Sequence, residues 1–243
     1  MNKRRLDIFV LLIFIVLWWV GSLFTEEYLL PPPYHVLFTI SGMLNWDLLL
    51  SIYYSFSRLV FAYLLALLIS IFFAILAQRS NTSKYLVESI LSHLLKIPNV
   101  GYLTFFLLFI GIGTPTIITT IVVSSVPVIT MALLGVLRQS NRHLLEISEI
   151  FNVNFKNRFF YFYLPTIFDG FYPIFSMSFS FSFKVLIMSE FIAGMNGLGY
   201  RLVEKKAEFS MDSVIAYIII IVVAGIVFQK VIEYLFLRIK KWI

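Results

Sequence analysis

Long stretches without charge alternate along this chain with short segments that concentrate it. Residues 8–24 and 115–137 contain no Asp, Glu, Lys or Arg. A helix rises about 1.5 Å per residue, so roughly 20 apolar residues cross the ~30 Å hydrocarbon core of a bilayer. The pattern predicts six spans, at about 8–24, 55–77, 84–112, 116–137, 167–191 and 213–236. Lipid offers no partner to backbone N–H and C=O groups, so the spans are expected to be helices. The expected fold class is therefore an all-α integral membrane protein with about six transmembrane helices, in one domain over 1–243.

Breakers refine this picture. Pro31-Pro32-Pro33 cannot continue a helix, so 25–50 reads as an external connection with a short amphipathic segment. Ser80-Asn81-Thr82-Ser83 is a polar turn that can start the third span. The first half of that span is mixed, with Glu88, His93 and Lys96 among leucines, and Pro98 then interrupts it. Two readings follow: a tilted span with an interfacial first half, or a bend that lines a pathway. Gly111 to Pro115 is a tight turn, and the fourth span carries an internal Pro127. A polar external loop is expected over 193–212. Ser176, Ser178, Ser180 and Ser182 alternate like a strand, but a lone strand cannot cross lipid. On a helix they permit close packing, with one or two facing a pathway.

Charge sets the expected orientation. Lys3, Arg4, Arg5, Arg79, Lys84, Arg138, Arg142, Lys156, Arg158, Arg238, Lys240 and Lys241 fall on one side of the six-span arrangement. Arg201, Lys205 and Lys206 fall on the other, with Arg58 near its edge. The excess predicts both termini and the 138–165 segment in the cytoplasm of a bacterial inner membrane. The basic start followed by 8–24 also fits a cleaved leader. The bulky Trp18-Trp19 pair favours a retained first span.

Composition agrees: 60% of residues are hydrophobic and 13% charged, against about 25% charged in soluble domains. The net charge of +6 follows from membrane topology and gives no reason to expect nucleic acid. With no Cys and only His35, His93 and His143, neither a metal centre nor a cofactor nor a catalytic residue set is expected. No G-x-x-x-x-G-K-[ST] loop is present for ATP phosphates. An inverted-repeat secondary transporter is disfavoured because no internal repeat is visible.

The segment 144–165, LLEISEIFNVNFKNRFFYFYLP, is charged and lies between two spans. A helix starting near Leu144 would put Glu146 and Glu149 in its first turns, favourably for the helix dipole. Ile147, Ile150 and Phe151 would share a face that fits a partner's groove. The segment resembles the cytoplasmic EAA coupling loop of permease subunits in binding-protein-dependent ABC importers. Glu146-Ile147-Ser148 takes the Glu-Ala-Ala place, Asn152 the Gly place and Phe162 the apolar place, and Leu164-Pro165 closes the motif. The spacing is kept. Ile147-Ser148 replaces two alanines, and Asn152 stands for Gly, as a residue that also tolerates the left-handed turn.

Further stretches resemble the same family in the same order: Leu30 to Pro33, Ser55-Phe56-Ser57-Arg58, Ile97-Pro98, Gly111-Ile112-Gly113, and 188–199 with Glu190 and Gly197-Leu198-Gly199. They are similar to the sulfonate, nitrate and taurine or thiamine-precursor branch. The resemblance implies a type I importer permease fold and the transmembrane subunit of an ATP-driven importer of a small polar or anionic solute. It implies as partners a pair of ABC ATPase subunits coupled through Glu146, Ile147, Ser148, Glu149, Ile150, Phe151, Asn152, Leu164 and Pro165. It further implies an extracytoplasmic substrate-binding protein and a second copy of the permease. Lys184, Glu190 and Ser180 are candidate pathway residues; Glu190 reads equally well as a carboxylate snorkelling to the outer interface. The rival function is an ATP-independent secondary transporter or channel.

Overall fold

The computed structural model describes residues 3–26, 28–139, 153–158, 160–161 and 164–240, and these are helical apart from turns and connections. Among the described residues nine helices carry the fold: α1 Lys3–Leu23, α2 Pro33–Met43, α3 Trp46–Ala77, α4 Asn81–Leu94, α5 Asn99–Ile110, α6 Thr114–Gln139, α7 Leu164–Ala193, α8 Leu198–Ala207 and α9 Met211–Lys240. A single helical turn also occurs at Phe155–Arg158.

Among the described residues four stretches are long and apolar enough to cross a membrane: Trp46–Ala77, Thr114–Arg138, Pro173–Ala193 and Met211–Tyr234. A fifth is the pair α4 and α5, bent by 85° at the break before Pro98. The first predicted span is α1, 21 residues long, with Leu12–Leu23 apolar among the described residues. Its described side chains are mostly exposed, and its main packing among the described residues is against α2. The sequence-derived picture of an all-α membrane bundle is therefore what the chain adopts.

Three boundaries differ from the sequence reading. The second span begins at Trp46, nine residues before Ser55, because Asn45 caps it. The Asn45 side chain accepts from the Leu48 N–H at 3.0 Å, and Asp47 sits in the positively polarised first turn. Ser80 caps α4 by accepting from the Ser83 N–H at 3.0 Å, so that helix starts at Asn81 rather than near Lys84. The expected external loop contains a helix, α8. Leu198 and Leu202 turn inward on it while Lys206 and Glu208, at and just beyond its end, stay exposed.

The core is organised around α6, which packs against α3, α4, α5 and α7. Ala62, Ala66, Ser70 and Ala74 recur every four residues on α3 and are buried. Such a small-residue seam lets two helix backbones approach closely in lipid. Ser70 marks that approach: its hydroxyl is 3.2 Å from the carbonyl of Val126 on α6, the residue before Pro127. Across from it, α6 and α7 also touch closely. A Cβ at Gly170 of α7 would lie 2.3 Å from Cγ1 of Val136. The positive-φ residues Gly111 (φ 90°) and Gly113 (φ 125°) form the predicted turn. The Gly113 N–H donates to the Ala193 carbonyl at 2.9 Å, so the start of α6 and the end of α7 meet. That end of the bundle also carries α2 and α8; Arg138 of α6 and Glu88 of α4 pair at the opposite end.

Candidate functional site

At the α8 end of the bundle, two charges from distant parts of the chain meet inside the protein. Arg58 is 6% exposed and Glu190 0%. Arg58 Nη1 donates to Glu190 Oε1 at 2.8 Å and to the Asn196 carbonyl at 2.9 Å. Its Nε donates to Thr114 Oγ1 at 3.1 Å, and its Nη2 donates to Asn196 Oδ1. The carboxylate has further donors. Ser55 Oγ donates to Glu190 Oε2 at 2.7 Å, and the Gly199 N–H donates to the same oxygen at 3.1 Å. Ser55 in turn accepts from the Leu198 N–H at 2.8 Å.

This cluster ties α3, the start of α6, the end of α7 and the loop into α8 at one point. A buried ion pair holds only if nearly every donor and acceptor around it finds a partner, and here they do. The loop 194–199 wraps the carboxylate closely. Gly197 has φ +106°, and a Cβ there would lie 2.4 Å from Glu190 Oε1.

Of the two readings of Glu190, snorkelling to the outer interface does not hold: the side chain is fully buried and turned towards α3. The missed partner was Arg58. One sequence signal could have paired them: opposite charges near the same end of two apolar helices. Ser55 and Arg58 are also three apart, hence on one helical face.

The alternating serines sort into two faces four residues apart. Ser178 pairs with Tyr63 Oη of α3 at 2.8 Å, and Ser182 with Ser125 of α6 at 2.8 Å; both are buried in the bundle. Ser176 and Ser180 face α9. Gln229 Nε2 donates to Ser176 Oγ at 2.6 Å, and Ser180 Oγ donates to Gln229 Oε1 at 3.1 Å.

Lys184 continues this second face. It is exposed and borders a groove of about 590 Å³ between α7 and α9, with Phe179, Ser180, Phe183, Ile187 and Gln229. Among the described residues it has no hydrogen-bond or ion-pair partner. A lysine at the middle of a lipid-facing helix costs about 2.5–3.5 kcal/mol. That cost argues for water or another polypeptide over this face. Ser180 and Lys184 thus lie together, and Glu190 lies apart from them.

Glu146, Ile147, Ser148, Glu149, Ile150, Phe151 and Asn152 fall outside the described residues. Leu164 and Pro165 open α7, and their side chains also fall outside. The ends of α6 and α7 nevertheless bracket the segment. Among the described residues no group of three or more His, Asp or Glu could hold a metal ion.

Comparison with known proteins supplies the family. No match was found among curated proteins. A family model described as the binding-protein-dependent transport system inner membrane component matches residues 1–241. The helical bundle, the membrane-length apolar helices and this match over nearly the whole chain lead to one conclusion: the protein belongs to the family of binding-protein-dependent transport system inner membrane components, the permeases of ABC transporters.

Proposed function

We propose that this chain is the transmembrane subunit of an ATP-driven importer in a bacterial inner membrane, with both termini cytoplasmic. Two copies enclose one pathway for a small polar or anionic solute. A binding protein delivers the solute from outside, and a separate pair of ATPase subunits docks on 144–165. The sulfonate, nitrate and taurine or thiamine-precursor branch is the proposed subgroup. The observation that carries the reading is the spacing from Glu146 to Leu164-Pro165, in a family permease, between its two closely packed helices α6 and α7.

A physical route from ATP to the pathway supports it. In this reading Glu146 and Glu149 begin a short docking helix, and Ile147, Ile150 and Phe151 enter the ATPase groove. Asn152 ends that helix, and Leu164-Pro165 hands the chain to α7. Force applied there reaches α6 and α7 together, because Gly170 and Val136 leave no slack between them. Ser180 and Lys184 ride on α7, so the groove moves with the coupling loop. Closure of the ATPase pair thereby biases one of two bundle arrangements.

Glu146→Arg, or deletion of 146–152, is expected to abolish recovery of the ATPase with the affinity-purified permease while membrane insertion stays normal. Undiminished ATPase recovery would remove the docking assignment. Uptake by this chain alone in liposomes, indifferent to ATP and to an ATPase partner, would replace the importer reading with a secondary transporter. Lys184→Ala is expected to lower solute uptake severalfold with assembly unchanged. Wild-type uptake kinetics in that variant would make Lys184 structural.

A further inference from the structure

The break between α4 and α5 leaves the start of a half-helix at the edge of the bundle, with Ile97, Pro98 and Val100 exposed and α6 behind it. Pro98 precedes α5 and provides no side-chain cap, so the first-turn N–H groups lack one of their usual partners. The positive end of the α5 dipole is concentrated there. Tyr102 Oη donates to the Leu94 carbonyl at 2.8 Å across the break, which holds the two half-helices at a set distance.

A cavity of about 240 Å³ opens at this point, lined by Lys96, Pro98, Asn99, Tyr102, Ser124 and Phe181 among others. Ser124 of α6 is 4% exposed, and its hydroxyl has no partner among the described residues. A buried hydroxyl without a partner calls for a ligand or water that supplies one. Lys96 is exposed and likewise unpaired among the described residues.

The depth is consistent from three helices. Ser124 lies ten residues from the start of α6 at Thr114, Phe181 twelve from the end of α7 at Ala193, and Asn99 twelve from Gly111 after α5. At about 1.5 Å per residue these place the cavity roughly 15–18 Å below the α8 end, near the middle of a ~30 Å core. A helix broken at that depth, with its amino end aimed at a cavity, is an arrangement suited to anionic groups.

We propose that the α4–α5 break is a binding site for a small free oxyanion, a solute group such as a sulfonate or carboxylate. The α5 amino terminus and Lys96 supply the positive field, and Asn99 and Ser124 supply donors. The site deepens the importer reading by giving the solute class, and rests on that reading for its role in transport. Binding itself is measured on the permease alone, so a failed ATPase-docking test would leave it standing.

The full chain in phosphatidylcholine nanodiscs would be titrated with radiolabelled sulfate and with methanesulfonate. Saturable binding is expected. Lys96→Gln and Ser124→Ala should each weaken it about tenfold or more, the usual loss for a charge-assisted or buried hydrogen bond. Lys96→Arg should restore it, and Lys84→Gln, an equal charge change on α4 away from the break, should leave it unaltered. Ser124→Ala should not lower the melting temperature, because it removes a hydroxyl that has no partner; this separates a ligand role from a structural one. Absence of saturable binding, or equal binding by wild type, Lys96→Gln and Ser124→Ala, would overturn the proposal. Loss of probe binding when phosphatidylglycerol is added to the discs would assign the site to a lipid headgroup and overturn it equally.

Discussion

Glu190→Ala is expected to destabilise the protein by about 3–5 kcal/mol, the usual loss when one partner of a buried ion pair is removed. The loss arises mainly from what remains. Arg58 is 6% exposed and would keep its charge without a counter-ion, while Ser55 and the Gly199 N–H would lose their acceptor. Arg58→Ala should cost a similar amount by stranding the carboxylate. Arg58→Lys should recover little, because the guanidinium uses Nε, Nη1 and Nη2 towards Thr114, Glu190 and Asn196, and an ammonium cannot reproduce that fork. Replacing both charges with methionine should recover much of the stability, since a buried pair is often matched by apolar residues of similar volume. Thermal unfolding of the detergent-purified chain provides the measurement. A single Glu190→Ala variant that melts with the wild type, or a double methionine variant worse than either single, would contradict this account.

The second large effect is expected at the glycines around the same carboxylate. Gly197→Ala places a Cβ 2.4 Å from Glu190 Oε1 and 2.5 Å from its Cδ, at a φ of +106°. Gly199→Ala places one 2.4 Å from the Ile187 carbonyl. At Gly197, backbone strain of about 1–3 kcal/mol adds to overpacking of about 1–3 kcal/mol, for a total of roughly 2–6 kcal/mol; at Gly199, which has no positive φ, the overpacking alone applies. Gly42 provides the comparison: no atom lies within 4 Å of its Cβ position. Gly42→Ala on α2 should therefore be neutral or stabilising by up to about 1 kcal/mol. A double-mutant cycle tests the cause. Once Glu190→Ala has removed the carboxylate, Gly197→Ala should cost markedly less than in the wild type, because the two residues share one space. Strict additivity would show that the penalty at Gly197 is backbone strain alone.

Both predictions concern features that were only half legible in the sequence. Glu190 and the glycines after it stood out as a motif, and Ser55 to Arg58 stood out as another. Nothing local showed that they touch. They are 132 residues apart, and their meeting depends on how α3 and α7 are rotated about their axes. Ser178 and Ser182 turn inward while Ser176 and Ser180 meet α9 for the same reason. The start of the second span lies earlier than expected because 46–50 falls in the expected external connection, although Asn45 and Asp47 carry a capping signal. The α8 helix was missed because Arg201, Glu204, Lys205 and Lys206 made a short amphipathic helix look like a polar loop.

What the sequence determined by itself is the membrane bundle: all-helical, with its apolar helices, its breaks at Pro98 and Gly111, and its family. These are local properties. A helix in lipid satisfies its own backbone hydrogen bonds, so its existence depends on the residues within it. The tertiary structure alone decided which side chains meet. Packing fixed the burial of Glu190 against Arg58, the exposure of Lys184 on the α7–α9 groove, and the placement of Ser124 beside the uncapped start of α5. Each depends on the rotation and crossing of two or more helices, which no single helix encodes.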